Sequence, residues 1–432
     1  MKTNRRKFLK AAAVTGSSSA LLSLQSCKST PKSDAKKPAT DYSVLDAARS
    51  KPVLLRELFS SPVIIETLEL LRDRNNTICR VHSQDGAVGL AIGHPFIAQS
   101  SYPMFNLNLK GFFLGKDARD LDLLVFNAAE RNVKRQGIPL NVQIAVIEFA
   151  ILDMLGNIAD LPAGQLLGPL RNPEIPIYLG HYLWELGNKE PEESLELMYQ
   201  DYLKTEAKAI KLRAGRGDNL ASDIDNAPGR TEKLIRMARE KFGDDMNLMI
   251  DGNGSYSVEE AIRIGKILEE YNYYFYEEPV PWDWYEEQKL VEEALTIPMA
   301  GGEEEFGMHA FRYLIGKEVF QILQPDLFYF GGMIRTMQVA RMVEAAGLQI
   351  TPHISAGGLG YVYLLQMVSV CPATAEFHEF KMFQTKDANG TLIPITSKAE
   401  PFTSVNGVIK VPTGSGLGIT IDPDYVKTHR VV

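Results

Sequence analysis

Apolar positions fall into three stretches with different spacing. Between about Ser61 and Ile92, short apolar runs (Pro62-Val63-Ile64-Ile65, Thr77-Ile78-Cys79-Arg80-Val81 and Ala87-Val88-Gly89-Leu90) are broken by polar residues and by the turn pair Asp85-Gly86. That texture predicts a small antiparallel sheet. From Ala118 to Gln136 and from Val142 to Ile158, apolar residues recur at three- and four-residue intervals, which predicts two helices. These elements form an α+β unit ending near Gly168-Pro169. After Pro176, short apolar strands alternate with amphipathic helices, and the strands are read to end at Leu179, Arg213, Asp251, Glu277, Glu303, Asp326, His353 and Glu379. From Asp251 onward these ends lie 23 to 27 residues apart, the footprint of repeated strand-helix units that close into a parallel barrel. Met246 to Ile250, Tyr273 to Tyr276, Val319 to Leu323 and Leu348 to Ile350 have the unbroken apolar character of strands buried on both faces.

Length and composition narrow this further. The chain has 432 residues, 45% hydrophobic and 23% charged, with a formal net charge of -8, values of an ordinary globular protein large enough for two domains. Basic residues are dispersed, which argues against a nucleic-acid partner; the one basic cluster, Arg5, Arg6, Lys7 and Lys10, sits at the N-terminus. There Asn4-Arg5-Arg6-Lys7-Phe8-Leu9-Lys10 precedes an apolar stretch from Ala11 to Leu24 and resembles a twin-arginine export signal. Leu24-Gln25-Ser26-Cys27 has the form of a lipobox, which predicts membrane attachment through a lipid at Cys27 in the periplasm. Cys79 and Cys371 are then expected to be core thiols rather than a disulfide. The predicted organisation is a signal over 1–27, a tether over 28–50, an α+β domain over 51–170, a barrel over 171–400 and a C-terminal segment over 401–432 that returns to the first domain.

Each predicted barrel unit ends in an ionisable side chain, at the end of the strand where such barrels place their chemistry. Asp251, Glu277 and Glu303 close three successive strands, so their carboxylates converge and need a cation. An all-oxygen set selects a hard ion, Mg2+ or Mn2+. Asp326 and His353 close the next two strands, where the carboxylate can fix the imidazole tautomer and raise its basicity. In Ala209-Ile210-Lys211-Leu212-Arg213, Lys211 and Arg213 share the inner face, suited to stabilising an enolate or moving protons. His181, just after the first strand, is a candidate substrate contact, whereas alternation points His378 away from the site.

Several motifs together resemble the mandelate racemase subgroup of the enolase superfamily, from about Pro62 to the C-terminus: Ile147-Glu148-Phe149-Ala150-Ile151-Leu152-Asp153-Met154-Leu155-Gly156, Ile250-Asp251-Gly252-Asn253, Glu277-Glu278-Pro279, Gly301-Gly302-Glu303, Pro325-Asp326 with Gly331-Gly332, and Pro352-His353. The resemblance implies an α/β fold, a (β/α)8-type barrel of (β/α)7β form. Its N-terminal α+β domain caps the mouth, with loops from His94 to Lys110 shaping the pocket. It further implies one Mg2+ per subunit on Asp251, Glu277 and Glu303, a His353–Asp326 base dyad, Glu379 hydrogen-bonded to a substrate carboxylate, and a homo-oligomer. Two departures bear on the reaction. Arg213 stands where the family often has a lysine base, and arginine is a clamp rather than a base. Asn253 stands where some sugar-acid dehydratases carry a histidine acid, leaving it as a substrate contact and His353 or Lys211 as the proton donor. The lysine base of muconate-lactonizing relatives is absent after the sixth strand. The expected reaction is removal of the proton alpha to a carboxylate and dehydration of a sugar acid to a 2-keto-3-deoxy acid. The alternatives are a cycloisomerase, epimerase or racemase, or an exported binding lipoprotein without activity.

Overall fold

A computed structural model describes residues 40–180, 190–216, 220–381, 386–398 and 402–432. Helix α1 (Tyr42–Arg49) comes first, where the sequence predicts tether. Asp41 caps it through the Ser43 N–H, Leu45 is fully buried, and Asp46 pairs with Arg312 at 2.7 Å while the Arg312 guanidinium lies over the Tyr42 ring. The composition of residues 28–50 hides this helix, because one leucine and one aromatic ring supply most of its contact.

The N-terminal sheet has β1 (Ile65–Asp73), β2 (Asn76–Ser83) and β3 (Val88–Ile92), all antiparallel. The predicted first run, Pro62 to Ile65, only leads into β1. The ensuing Glu66-Thr67-Leu68-Glu69-Leu70-Leu71 conceals its strand period because adjacent leucines are both buried. Residues 94–110 are expected as loops but include α2 (Ala98–Ser101), a π-helical turn at Phe105–Leu109, and the start of α3 (Lys110–Phe113). Ser101, Phe105, Leu109 and Phe113 are buried at four-residue spacing, a short helical face obscured by the Pro95 and Pro103 breaks. Then come α4 (Leu121–Glu130) and α5 (Ile138–Ala159). α5 is long and apolar enough to cross a membrane, yet 83% of its apolar window is buried inside the protein, so it is read as a core helix. Gly89 allows β3 to reach it, because a Cβ there would lie 2.0 Å from the Ala150 carbonyl oxygen.

The barrel follows as β4 (Glu174–Leu179), α6 (Pro191–Thr205), β5 (Ala209–Arg213), α7 (Arg230–Phe242), β6 (Asn247–Asp251), α8 (Val258–Glu270), β7 (Phe275–Glu277), α9 (Tyr285–Ala294), β8 (Met299–Gly301), α10 (Met308–Gly316), β9 (Ile322–Leu323), α11 (Met333–Ala346), β10 (Gln349–Ile350), α12 (Gly360–Val370) and β11 (His378–Phe380). Eight parallel strands run in the order β10-β9-β8-β7-β6-β5-β4-β11. The bridge between Ile350 and Thr374 joins the last strand to the first of that order. Eight strands with seven intervening helices make a (β/α)7β barrel with an N-terminal α+β cap, as the resemblance implies. β8, β9 and β10 stop two to three residues before Glu303, Asp326 and His353; Glu303 stands in the turn after its strand, whereas Asp326 and His353 still pair with each other in a parallel bridge at the ends of theirs. After the barrel, β12 (Ile395–Ser397) pairs with β14 (Ile419–Ile421), and β13 (Val408–Lys410) pairs antiparallel with β4. Finally α13 (Pro423–Lys427) leads to β15 (Arg430–Val431), which adds to β1 of the cap.

Cap and barrel are also joined where α11 begins. Glu148 of α5, fully buried, accepts the backbone N–H groups of Met333 and Ile334, satisfying donors that a helix start leaves open. Gly332 makes room for it, with φ +114° and a position at which a Cβ would lie 2.5 Å from the Glu148 carboxyl carbon. Gly332→Ala should therefore lower the urea midpoint by the equivalent of ~1–3 kcal/mol, the usual scale of such backbone strain. An unchanged midpoint would show that this junction does not need glycine.

Candidate active site

The barrel has an apolar floor. Tyr178, Ala209, Met249, Phe275, Ala300, Ile322 and Phe377 come from its inner strand faces and pack together. Side chains alternate along a strand, so the residues two places on stand above this floor. They include Lys211, Asp251, Glu277, Gln324 and Glu379, all fully buried, and the glycines Gly180 and Gly302 that leave space between them. Burial of so many charges is tolerated only through mutual pairing. Lys211 Nζ donates to both Glu277 oxygens at 2.7 and 2.8 Å and lies 4.0 Å from Asp251 Oδ2. Burial pulls the ammonium pKa down, but Glu277 foremost among its neighbours outweighs this and holds it well above the usual lysine range. Arg213, two residues further along β5 and in register with Asp251, is 8% exposed and favours the charged form of that carboxylate.

The acids on the metal side carry more charge than these cations compensate. Asp251 Oδ1 accepts the Asn253 backbone N–H at 2.8 Å, while its buried Oδ2 has no hydrogen-bond partner among the described residues. Burial and the adjacent Glu277 push Asp251 up to about 6. Burial likewise raises Glu277 and Glu303, brings Glu278 to about 7, and with Glu278 and Glu303 alongside drives Glu304 far above the carboxylate range. Glu278, Glu303 and Glu304 each present an oxygen within 4.8 Å of the others, a three-glutamate cluster able to hold a metal ion. Of these three the sequence reading names only Glu303. Glu278 and Glu304 escape it because alternation selects one acid per strand, although the runs Glu277-Glu278 and Glu303-Glu304-Glu305 were a visible signal. Asp251 and Glu277 are side by side in register on β6 and β7, with Glu277 turned to Lys211. Unpartnered buried oxygens and raised acids in an all-oxygen set suit a hard divalent cation.

Across the mouth, His353 Nδ1 lies 2.9 Å from Asp326 Oδ2, and the Ser355 N–H donates to the same oxygen at 2.6 Å. Asp326 Oδ1 takes the Phe328 and Tyr329 N–H groups at 2.8 Å each. Burial raises the Asp326 pKa, but the His353 bond and these donors together hold it below the carboxylate range. His353 Nε2 faces Glu303 Oε2 at 3.4 Å and Glu379 Oε2 at 3.5 Å. Burial lowers the imidazole pKa, but Glu303, Glu379 and Asp326 raise it to about 9. The sequence points to Asp326 as the group that raises the basicity of this ring but not to the two carboxylates on its opposite side.

Glu379 stands on the other side of the His353 ring. Burial would raise it, but Lys381, His353 and Lys211 keep it below the usual carboxylate range. An ionised carboxylate accepts and cannot donate, so Glu379 in this state can receive a substrate hydroxyl, and holding a substrate carboxylate, as the resemblance implies, requires it to carry a proton. Neither of its oxygens accepts a well-formed hydrogen bond among the described residues. Lys381, two residues on and absent from the sequence reading, stands 3.2 Å from Glu379 Oε2 and donates to the Ile354 carbonyl at 3.0 Å. The two-residue spacing from Glu379 was its signal. Asn253 has φ +39° and a buried amide oxygen without a hydrogen-bond partner among the described residues, fit for a ligand contact. His378 is buried outside the site against Thr351 Oγ1 at 3.0 Å. His181 and Cys27 lie outside the described residues.

The cap adds one side chain that sequence reasoning places only among pocket-shaping loops. His94, 1% exposed, accepts the Phe96 and Ile97 N–H groups on Nδ1 at 3.2 Å each. Its proton is therefore on Nε2, which points to Ser355 Oγ at 3.1 Å. Ser355 is the residue whose N–H holds Asp326, so the cap touches the loop that positions the dyad.

A family model described as enolase C-terminal domain-like matches residues 195–425. The chain is 27% identical over 297 residues to an arabinonate dehydratase of Saccharolobus solfataricus, covering 68% of this chain and 74% of that one. It is 27% identical over 325 residues to a D-galactarolactone cycloisomerase of Agrobacterium fabrum, covering 74% and 82%. A solved mandelate racemase/muconate lactonizing protein from Paracoccus denitrificans shares the fold with a TM-score of 0.74 at 23% identity, over 86% of this chain and 99% of that one.

His94 gives a pH prediction. Burial lowers its pKa from 6.5 to about 4, with Lys381 and His353 adding to the lowering and Asp326 opposing it. A histidine held neutral by the fold stabilises it fully above its unfolded value, and the contribution disappears as pH falls from about 6.5 towards 4. The shift corresponds to ~3 kcal/mol. In urea titrations the wild type should lose that much more stability across this window than His94→Gln, which cannot titrate. Parallel slopes would remove His94 from the pH response.

Proposed function

Because the chain belongs to the enolase C-terminal domain-like family, in the mandelate racemase subgroup of the enolase superfamily, we propose that this enzyme is a lyase that dehydrates a sugar acid to a 2-keto-3-deoxy acid. The observation that carries the reading is the His353–Asp326 dyad opening onto the acid cluster, with His353 Nε2 within 3.5 Å of both Glu303 and Glu379. We assign the metal ligands to Asp251, Glu277 and Glu303, with Glu278 and Glu304 sharing the acid cluster of Glu303; here both Glu277 oxygens are bonded to Lys211, so Glu277 would serve the ion while still paired. Glu278 Oε1 already accepts the Gly302 N–H at 2.7 Å, which ties it to the β8 loop. Mg2+ held there, one per subunit with Mn2+ as the substitute, would draw charge from the substrate carboxylate and, by compensating Glu303, free His353 to act as a base.

The protein's own part begins with His353, whose Nε2 takes the alpha proton while Asp326 keeps the other nitrogen protonated and the ring in place. Lys211, held as an ammonium by Glu277, and Arg213 stabilise the growing negative charge of the enediolate. The 3-hydroxyl then leaves: the C2–C3 double bond forms, the C3–O bond breaks with a proton added to make water, and the enol tautomerises to the keto acid. Glu379, Asn253 and His181 are assigned to substrate hydroxyls. The relationship to a cycloisomerase supports a second reading, in which the same proton removal leads to ring opening or epimerisation. A screen of sugar acids with Mg2+, scored for 2-keto acids and for alpha-proton exchange in deuterated water, separates them. Keto acid supports the lyase, a new isomer supports the second reading, and silence on all acids supports a binding protein of the same fold.

Two substitutions test the site. Glu303→Gln should abolish turnover and weaken Mn2+ binding, followed by electron paramagnetic resonance, by roughly tenfold to a hundredfold. His353→Asn should abolish both turnover and alpha-proton exchange with metal binding intact. Normal activity in either variant contradicts its assigned role.

We also propose export by the twin-arginine route and lipid attachment at Cys27, supported by Arg5-Arg6 and by Leu24-Gln25-Ser26-Cys27. Replacing Arg5 and Arg6 by lysine should leave the protein in the cytoplasm, and Cys27→Ala should move it from the membrane to the soluble periplasmic fraction. A Cys27 variant that fractionates like the wild type eliminates the anchor and leaves the export signal standing.

A further inference from the structure

Dehydration needs a proton for the departing hydroxyl, and Asn253 stands here where some sugar-acid dehydratases carry a histidine acid. We propose that Lys381 is that donor, an inference that rests on the dehydration reading above. Lys381 and Glu379 lie on the same face at the end of β11 by strand alternation. One carboxylate oxygen separates the lysine from the base: Glu379 Oε2 is 3.2 Å from Lys381 Nζ and 3.5 Å from His353 Nε2. The ammonium is anchored from behind by the carbonyl of Ile354 at 3.0 Å, the residue following the base. An ammonium has three donors. With one on Ile354 and one towards Glu379, a third can meet a hydroxyl on the carbon next to the one that His353 deprotonates.

The other cations suit this task less well. Lys211 is fully buried with both Glu277 oxygens on its ammonium, on the side of the site where charge accumulates at the carboxylate. Arg213 is a guanidinium and a poor proton donor. The Lys381 side chain is 21% exposed, so after donating it can take a proton back from solvent, which a fully enclosed acid cannot do as readily.

In the step itself, electrons of the enediolate form the C2–C3 double bond as the C3–O bond breaks. Lys381 Nζ passes one proton to the leaving oxygen, so water departs and the amine is left neutral. His353 keeps the alpha proton and later returns it to solvent. No oxidant, reductant or further reactant takes part.

The test uses the full-length metal-loaded enzyme and the sugar acid found by screening, with Lys381→Met and Lys381→Arg compared to the wild type for keto-acid formation and for alpha-proton exchange in deuterated water. The Met variant should dehydrate ~10²- to 10⁴-fold more slowly yet exchange the alpha proton, because the base still works while the intermediate has no route forward. The Arg variant keeps the charge beside Glu379 but holds its proton, so it should behave like Met in kcat with a KM close to wild type. Each variant is checked by a melting curve, and the Arg variant keeps the test decisive if Met disturbs folding. Dehydration by Met at the wild-type rate means that His353 acts twice and overturns the proposal alone. Rescue of dehydration by Arg reduces Lys381 to a charge and also overturns it. Loss of exchange in step with dehydration in both variants places Lys381 on the base and overturns it as well. Exchange by the wild type without dehydration of any acid overturns the dehydration reading itself, and the proposal with it.

Discussion

Carboxylates buried next to one another cannot all keep their charge unless cations stand between them, and this governs the mouth of the barrel. The apolar floor of Tyr178, Met249, Phe275 and their neighbours closes the layer above it from below. In that layer Lys211 pairs with Glu277 and opposes the rise that burial imposes on it, while Asp251, Glu277, Glu278, Glu303 and Glu304 all keep raised pKa values. The site is thus crowded with buried carboxyl groups that would ionise more readily beside a divalent cation, whose charge acts strongly at short range in such surroundings. The same crowding reaches across to His353, where Glu303 and Glu379 hold a proton on the imidazole. Metal side and base side are therefore coupled through Glu303, which faces both.

Geometry follows from the same alternation that builds the floor. Because floor and chemistry come from positions two residues apart on the same strands, every functional group in the second layer is supported from below by packed apolar side chains. That gives the rigidity that proton transfer between fixed atoms requires. The cap adds a contact of another kind. His94 meets Ser355, and Ser355 meets Asp326, so the dyad's loop is braced by a residue from a separate layer of the molecule. Substrate selectivity can then vary in the cap segment around α2 and α3 while the strand-borne chemistry stays in place.

How much of this is legible in the sequence depends on the range of the interaction involved. Repeated strand-helix units and their charged ends are periodic, so the barrel and the positions of Asp251, Glu277, Asp326 and His353 can be read along the chain. Glu278 and Glu304 are brought to Glu303 by loops that bend back beyond β7 and β8, with φ +31° at Glu278, and no period announces such a bend. The second flank of His353, Glu303 and Glu379, comes from strands far apart in the chain. Even with the residues identified, the ionisation of His353 could not be read without knowing that three carboxylates surround it. Helix α1 and the 94–110 segment were obscured for a simpler reason, since a single buried leucine or a four-residue spacing broken by prolines leaves too few positions to establish a helix.

The arrangement of cations also bears on which side of the substrate is worked upon. Reversible inversion at the alpha carbon needs a neutral base on each face, each able to take and return a proton. On the β5 face the groups are Lys211 and Arg213. The guanidinium keeps its proton under all ordinary conditions, and the ammonium is held charged by a carboxylate bonded through both oxygens. Neither can accept the alpha proton without first dismantling the pairing that permits its burial. On the opposite face a cation compensating Glu303 would release the imidazole of His353 as the acceptor, and Lys381, the proposed donor, lies across Glu379 Oε2 from it. Deprotonation and departure of the hydroxyl from that one face are consistent with both ion-pair networks as they stand, whereas two-base racemisation would require one of them to be broken on every turnover.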